Sequence, residues 1–352
     1  MNNMEQHIVN LNAEARVALR ALDLLRDFVS RTLFVVDNDH KLVGSLTDGD
    51  IRRGLLNGLE ISQPIFSFMN SNFKFLKNSQ ENILLIKEYK KNGIQLIPLI
   101  DDNYQLLDVI DLTKTKTILP VTALIMAGGR GERLSPFTDT CPKPMLKIGN
   151  KPIIEHNIDR LIAYGISDIY ISVKYLKEQI MNYFGDGTAK GVKITYLEEK
   201  DPLGTLGALS LIENFSYDDC LVMNSDLLTN IDFEDFYNFY TENKACMSVA
   251  SIPYNVNIPY AVLETEGNQV SAFSEKPTYT YYSNGGIYLI KSHLKKYVNK
   301  DTFFNATDLM DILIEDDQHQ LVHYPLLGYW LDIGKHQDFI KAQEDIKHIN
   351  LT

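Results

Sequence analysis

The stretch that most constrains this chain is Ala123-Leu-Ile-Met-Ala127-Gly128-Gly129-Arg-Gly131-Glu-Arg133. An apolar run of this kind reads as a buried strand. Glycines directly after it let the backbone turn sharply, so that its N–H groups can approach a phosphate. Arg130, Arg133, Lys143 and Lys147 add cations within a short span, and Pro142 and Pro144 bracket Lys143 and limit its backbone freedom. Arginine stands where a dinucleotide fingerprint needs its third glycine. The lysine and hydroxyl of a P-loop are missing as well.

Beyond this loop the pattern alternates. "PIIEHNIDRLIAYG", "KEQIMNYF", "TLGALSLIENF" and "FEDFYNFYTEN" read as helices. "DIYISV", "VKITYL" and "CLVMNSD" read as strands. Such alternation implies a mainly parallel sheet covered on both faces.

Ahead of the loop lies a repeat. "LFVVDNDHKLVGSLTDGDI" and "LIPLIDDNYQLLDVIDLTK" each read as strand, polar turn and strand. Helices are expected before them, over Ala13–Phe28 and Glu81–Lys91, and another at Ile51–Leu59. The repeat resembles a pair of CBS domains, modules that commonly bind adenine nucleotides. "GSLTDGDI" carries the resemblance best, and it implies a regulatory nucleotide held by Thr47 and Asp50. In the second repeat Asp111 and Lys114 stand at those places. The pair is either a regulatory module or a docking module. The expected division is residues 1–116 for an α+β CBS pair, 117–120 for a linker, and 121–352 for the α/β domain.

The chain has 352 residues and a net charge of −12. That charge argues against nucleic-acid or anionic-membrane partners, which need a basic face. Its three cysteines, Cys141, Cys220 and Cys246, form no C-x-x-C pair and suit a reducing compartment. There is no signal-peptide pattern and no long apolar segment, so a cytoplasmic protein is expected. The eight histidines show no metal-binding spacing, and His156 and Trp330 read as structural.

"GGRGERLSPFT" with "CPKPML", then "EEKDPLGTLGAL", "VMNSDLL", "FSEKP", "NGGIYL" and "YWLDIGKHQDF" together resemble the sugar-1-phosphate nucleotidyltransferases. The resemblance implies a Rossmann-like domain that transfers a nucleotidyl group from a nucleoside triphosphate to a sugar 1-phosphate. Pyrophosphate is released and Mg²⁺ is required. It implies catalytic roles for Arg133, Lys143, Asp226 and Asp332, the two aspartates holding the metal. Ala127, Gly128, Gly129, Gly131, Glu198, Leu203, Gly204 and Thr205 would bind the nucleotide. Ala261, Glu275, Lys276, Asn284 and Gly285 would bind the sugar phosphate, although Asn284-Gly285 also suits a hairpin turn. Within the family, the combination with a CBS pair is similar to guanylyltransferases of nonulosonic (legionaminic) acid pathways. GTP and glucosamine 1-phosphate are then the expected substrates, with mannose or heptose 1-phosphate as alternatives and a homo-oligomer as the expected assembly. A catalytically inactive nucleotide sensor is the reading from another class.

Overall fold

The computed structural model describes residues 5–26, 29–77, 82–316, 319–349 and 351. They form two compact units divided between Pro120 and Val121, with Ala163–Gly165 grouped with the first. Among the described residues no helix is long and apolar enough to cross a membrane.

The first unit is built twice from one plan. β1 (Ile8–Asn10), α1 (Ala15–Leu24), β2 (Thr32–Val36), β3 (Leu42–Thr47) and α2 (Asp48–Leu56) form the first copy. β4 (Leu76–Lys77), α3 (Asn82–Lys91), β5 (Leu96–Ile100) and β6 (Leu106–Asp111) form the second. Each sheet has one parallel and one antiparallel pairing. Thr32 faces Thr47, and Leu96 faces Asp111; each register breaks at the same relative place, after Val35 and after Leu99. The correspondence ends after the last strand. β3 runs into α2, which Thr47 and Asp50 cap reciprocally, whereas β6 runs into turns. Helix α1 stops at Leu24 and Leu25–Arg26 turn, short of the expected end; the last two expected residues, to Phe28, and the expected start of α3 at Glu81 lie outside the described residues, as do residues 1–4, Asn350 and Thr352.

The second unit opens with β7 (Val121–Ala127), a small hairpin of β8 (Lys147–Ile148) and β9 (Lys151–Pro152), and α4 (Ile153–Ala163). β10 (Asp168–Val173), α5 (Lys177–Phe184), β11 (Lys193–Glu198), β12 (Asp219–Asn224), β13 (Leu227–Thr229) and α6 (Phe233–Glu242) follow. The remainder is β14 (Met247–Asn257), β15 (Val262–Glu266), β16 (Gln269–Ser274), β17 (Thr278–Lys291), α7 (Ala306–Glu315), β18 (Leu321–Pro325), β19 (Trp330–Asp332) and α8 (His336–Asp345).

The seven-stranded sheet has the order β11-β10-β7-β12-β17-β14-β18. Only β17 runs against its neighbours. β7 is buried along almost its whole length, as a central strand covered on both faces requires. The chain moves outward from β7 to β10 and β11, then returns to lay β12 on the other side. Such a reversal leaves a crevice at the carboxyl ends of β7 and β12.

The sequence pattern fails in two places. "TLGALSLIENF" forms only a short 3₁₀ turn, Gly207–Leu211. Ser210 Oγ donates to the Gly207 carbonyl at 2.7 Å, an acceptor an α-helix would give to residue 211. Asn284-Gly285 is not a hairpin tip either. It lies inside β17, with Asn284 facing Ser251 across a bulge between Val249 and Ser251.

Beyond that bulge β14 and β17 leave the sheet as a two-stranded ribbon ending in the β15–β16 hairpin. Ala261 and the Glu275-Lys276 pair sit together at the junction of ribbon and hairpin, beside the Val262–Ser274 pairing.

Candidate functional site

The crevice is a cleft of about 1100 Å³, lined by the glycine loop, the 202–205 loop and the turns after β12 and β19. Gly131, at φ +69°, has the left-handed backbone that the turn requires, and a Cβ there would come within 2.9 Å of Lys143 Cβ. Thr138 Oγ1 donates to the Gly131 carbonyl at 2.9 Å and locks the loop. Gly129 has open space where a side chain would stand, so its backbone faces the cleft unshielded.

Asp226 and Asp332 are brought together by strand pairing. β13 and β19 run antiparallel, with Leu227 opposite Asp332, and Ile333 N–H donates to the Asp226 carbonyl at 3.1 Å. Lys143 arrives from the 3₁₀ turn after Pro142. Its ammonium pairs with Asp226 and stands 3.7 Å from Asp332. Burial, and then the neighbouring Asp226 charge, raise the Asp332 carboxyl above the ordinary carboxylate range.

Oδ1 of Asp226 and Oδ1 of Asp332 are both buried without a hydrogen-bond partner. Buried polar atoms are rarely left so. Two hard oxygen ligands of this kind fit a divalent cation. Among the described residues no group of three or more His, Cys, Asp or Glu could hold a metal. The rest of the coordination shell would therefore come from phosphate oxygens and water.

The cations Arg130, Arg133, Lys143 and Lys174 line the cleft. Arg130 stacks over the Tyr175 ring at 5.6 Å. In a chain of net charge −12, these are the local charges that would hold a polyphosphate. Below, Asn157 on α4 donates to the Ser225 carbonyl at 3.2 Å, bracing the turn that carries Asp226.

Leu203, Gly204 and Thr205 line the cleft from the other side. Gly204, at φ +77°, lies against the Phe304 carbonyl, where a Cβ would meet the oxygen at 2.8 Å. Thr205 is engaged in structure, its hydroxyl accepting from Ala306 N–H at 2.8 Å at the start of α7.

Other expected residues stand elsewhere. Glu198, the last residue of β11, turns away and pairs with Lys177. Its neighbour Glu199 lines the cleft instead. Glu199 Oε2 accepts from Leu203 N–H at 3.1 Å, Ser172 Oγ donates to Oε1, and a Cβ on Gly128 would lie 2.8 Å from Oε1. Strand alternation held the signal, because the residue after a strand that ends outward turns toward the crevice. Ala261, Glu275 and Lys276 do not line the cleft, because the ribbon carries them out to the junction. Asn284 borders a different cavity, and Gly285 accepts from Trp330 Nε1 at 2.8 Å. Trp330 is half-buried rather than a core residue, whereas His156 is buried and bonded to the Ile148 carbonyl at 2.9 Å.

The family profile described as nucleotidyl transferase matches residues 122–349. This chain belongs to the nucleotidyl transferase family. The CBS-domain profile matches residues 4–57. Over 228 residues the chain is 33% identical to a protein of Oryza sativa subsp. japonica named as a mannose-1-phosphate guanylyltransferase, and 32% identical to the mannose-1-phosphate guanyltransferase of Candida albicans. Each match covers 62% of this chain, which spans 62% of those relatives' lengths. A crystal structure titled as a glucose-1-phosphate thymidylyltransferase from Bacillus anthracis, in complex with a sucrose, superposes with a TM-score of 0.53. It is 25% identical and covers 65% of this chain and 96% of its own.

Proposed function

We propose that the cleft transfers guanylyl groups from GTP to a hexose 1-phosphate. The observation that carries the reading is the pair of buried Oδ1 atoms on Asp226 and Asp332 that no hydrogen bond satisfies, beside Lys143 and the glycine loop. An oxygen of the sugar phosphate attacks the α-phosphorus. The bond from that phosphorus to the bridging oxygen breaks, and pyrophosphate leaves. Such chemistry needs in-line positioning and charge neutralisation more than covalent participation. Arg130 and Arg133 would hold the departing phosphates, Lys143 the attacked one, and open backbone at Gly129 the oxygens nearest β7. Magnesium, held by Asp226 and Asp332, would neutralise charge on the phosphates as it develops.

Glu199 supports guanine. A carboxylate only accepts hydrogen bonds, and guanine presents two adjacent donors, N1–H and the 2-amino group, on one edge. The bond from Leu203 N–H already orients this carboxylate. The acceptor is less constrained. The relatives' names carry mannose 1-phosphate rather than the glucosamine 1-phosphate expected from the motifs.

The test is a matrix of four nucleoside triphosphates against mannose, glucosamine, glucose and heptose 1-phosphates, scored by pyrophosphate release. GTP should lead, and Glu199→Gln should lower kcat/KM for GTP by roughly 10–100-fold while narrowing its lead over ATP. A parent enzyme that prefers CTP, UTP or dTTP would overturn the assignment of the base.

We further propose that the first unit binds a regulatory nucleotide. A cavity of about 290 Å³ there is lined by Thr32, Asn70, Asn72 and Lys74 among others; the expected Thr47 and Asp50 are not among its lining residues, Thr47 being only the cross-strand neighbour of Thr32. Asp50 Oδ2 accepts from Thr47 Oγ1 at 2.6 Å and from Thr47 N–H at 2.8 Å, and Oδ1 pairs with Arg53, so a ribose hydroxyl would have to share a carboxylate that is already engaged and held in place. Asp50→Ala should weaken adenine-nucleotide binding at least about 10-fold and remove ~1 kcal/mol of helix-cap stability. Calorimetry that finds equal binding in parent and variant leaves the unit as a docking module.

A further inference from the structure

Phe303 and Phe304 are neighbours that go opposite ways. Phe304 packs against the core of the second unit. Phe303 lines the cleft and is 59% exposed. Among the described residues that line the cleft, no other large apolar side chain is as exposed. A single exposed phenylalanine is ordinary on a loop that can carry it away. This one is fixed, because the backbone from Thr302 to Ala306 is laced to the 203–207 segment. Phe304 N–H donates to the Leu203 carbonyl, and Leu206 N–H to the Phe304 carbonyl, both at 2.9 Å. Thr205 N–H donates to Asn305 Oδ1 at 3.2 Å, and a Cβ on Gly207 would meet the Thr302 carbonyl at 2.8 Å. Asp301 enters this lacing at φ +54°, a left-handed state that a residue with a side chain holds only when its surroundings fix it. Leu203 completes the frame: its carbonyl takes Phe304 N–H while its own N–H goes to Glu199. The carboxylate and the ring are anchored to one residue.

We propose that Phe303 is the platform on which the base of the triphosphate stacks, and that it favours purines. The proposal rests on the assignment of this cleft to a nucleoside triphosphate. Arg130, Arg133 and Lys143 enter the cleft from the glycine loop and the turn after Pro142. The remaining cation, Lys174, is bonded to the Lys200 carbonyl at 2.9 Å. Phe303 stands on the other wall, beside Pro202 and Leu203. A phosphate chain drawn to the cations leaves its base to that wall. There a carboxylate can accept from the edge of the base, and an aromatic ring can cover its face. Any base has a face to stack, but the two fused rings of a purine cover more of an exposed phenylalanine than one pyrimidine ring does, and more apolar area leaves water.

Calorimetric titration of the full chain with GTP and with CTP, in magnesium and without a sugar phosphate, tests the platform. Phe303→Ala should raise the dissociation constant for GTP by roughly 5–100-fold, the range for losing one base–aromatic stack, and that for CTP by less. Phe303→Tyr keeps a ring and should bind GTP within about 3-fold of the parent, whereas Phe303→Leu keeps apolar bulk without a ring and should not. The melting curves without nucleotide should coincide, since the ring is mostly exposed. A parent that binds GTP while Phe303→Ala binds it within about 2-fold, or Phe303→Leu that matches Phe303→Tyr, would overturn the stacking role. An equal loss for CTP and GTP would overturn the purine preference. A parent that binds neither nucleotide would instead remove the assignment of the cleft, and the platform with it.

Discussion

Asp226→Asn is expected to lower pyrophosphate release by at least about 1,000-fold, because the charge that would hold a cation on the transferring phosphates is halved. The fold should survive. Asparagine keeps an oxygen for Lys143, and Lys143 retains Asp332 within 3.7 Å. Initial rates over a magnesium titration, with a thermal melt beside them, separate the two effects. A turnover near the parent's would remove Asp226 from the chemistry. A rate loss matched by a collapsed melting curve would make it structural.

Arg160→Leu should cost about 3–5 kcal/mol of stability, because two charge-assisted hydrogen bonds to buried carbonyls are lost. Arg160 is 3% exposed, donates to the carbonyls of Ile231 and Leu351, and stacks over Phe233 at 5.5 Å. Leucine fills the space but leaves two buried carbonyls without a donor. For a unit of this size the melting temperature should fall by roughly 6–20 °C. Denaturant or thermal unfolding measures it, and a shift below a degree or two would mean that water replaces the guanidinium at no cost. The change should also reach the cleft. Leu351 packs in one cluster with Leu134 and Leu146 of the glycine-loop region and with Leu331 and Ile333, which flank Asp332.

Much of the second unit was legible because its strands and helices carry clean periods. β7, β10 and β12 are apolar runs closed by turn residues, and α4 and α6 place apolar residues on one side. The 207–211 turn escaped because apolar spacing does not register a serine that takes a helix carbonyl. Asp226 and Asp332 stand out in their local words. Their adjacency depends on a pairing between strands of three residues each, more than a hundred positions apart, which no local pattern encodes. Glu198 and Glu199 are alike in sequence, and only the strand's last outward position distinguishes them. The ribbon was hidden for a different reason. Its two strands read like any others, and where they leave the sheet is decided by where the neighbouring β18 stops.

Trp330 is the only tryptophan in the chain. Its indole donates to the Gly285 carbonyl at the root of the ribbon, while its strand ends two residues on at Asp332. The protein thus contains its own optical reporter between the cleft and the ribbon. Emission from one half-buried indole will shift when either side moves, and no label is needed to watch it.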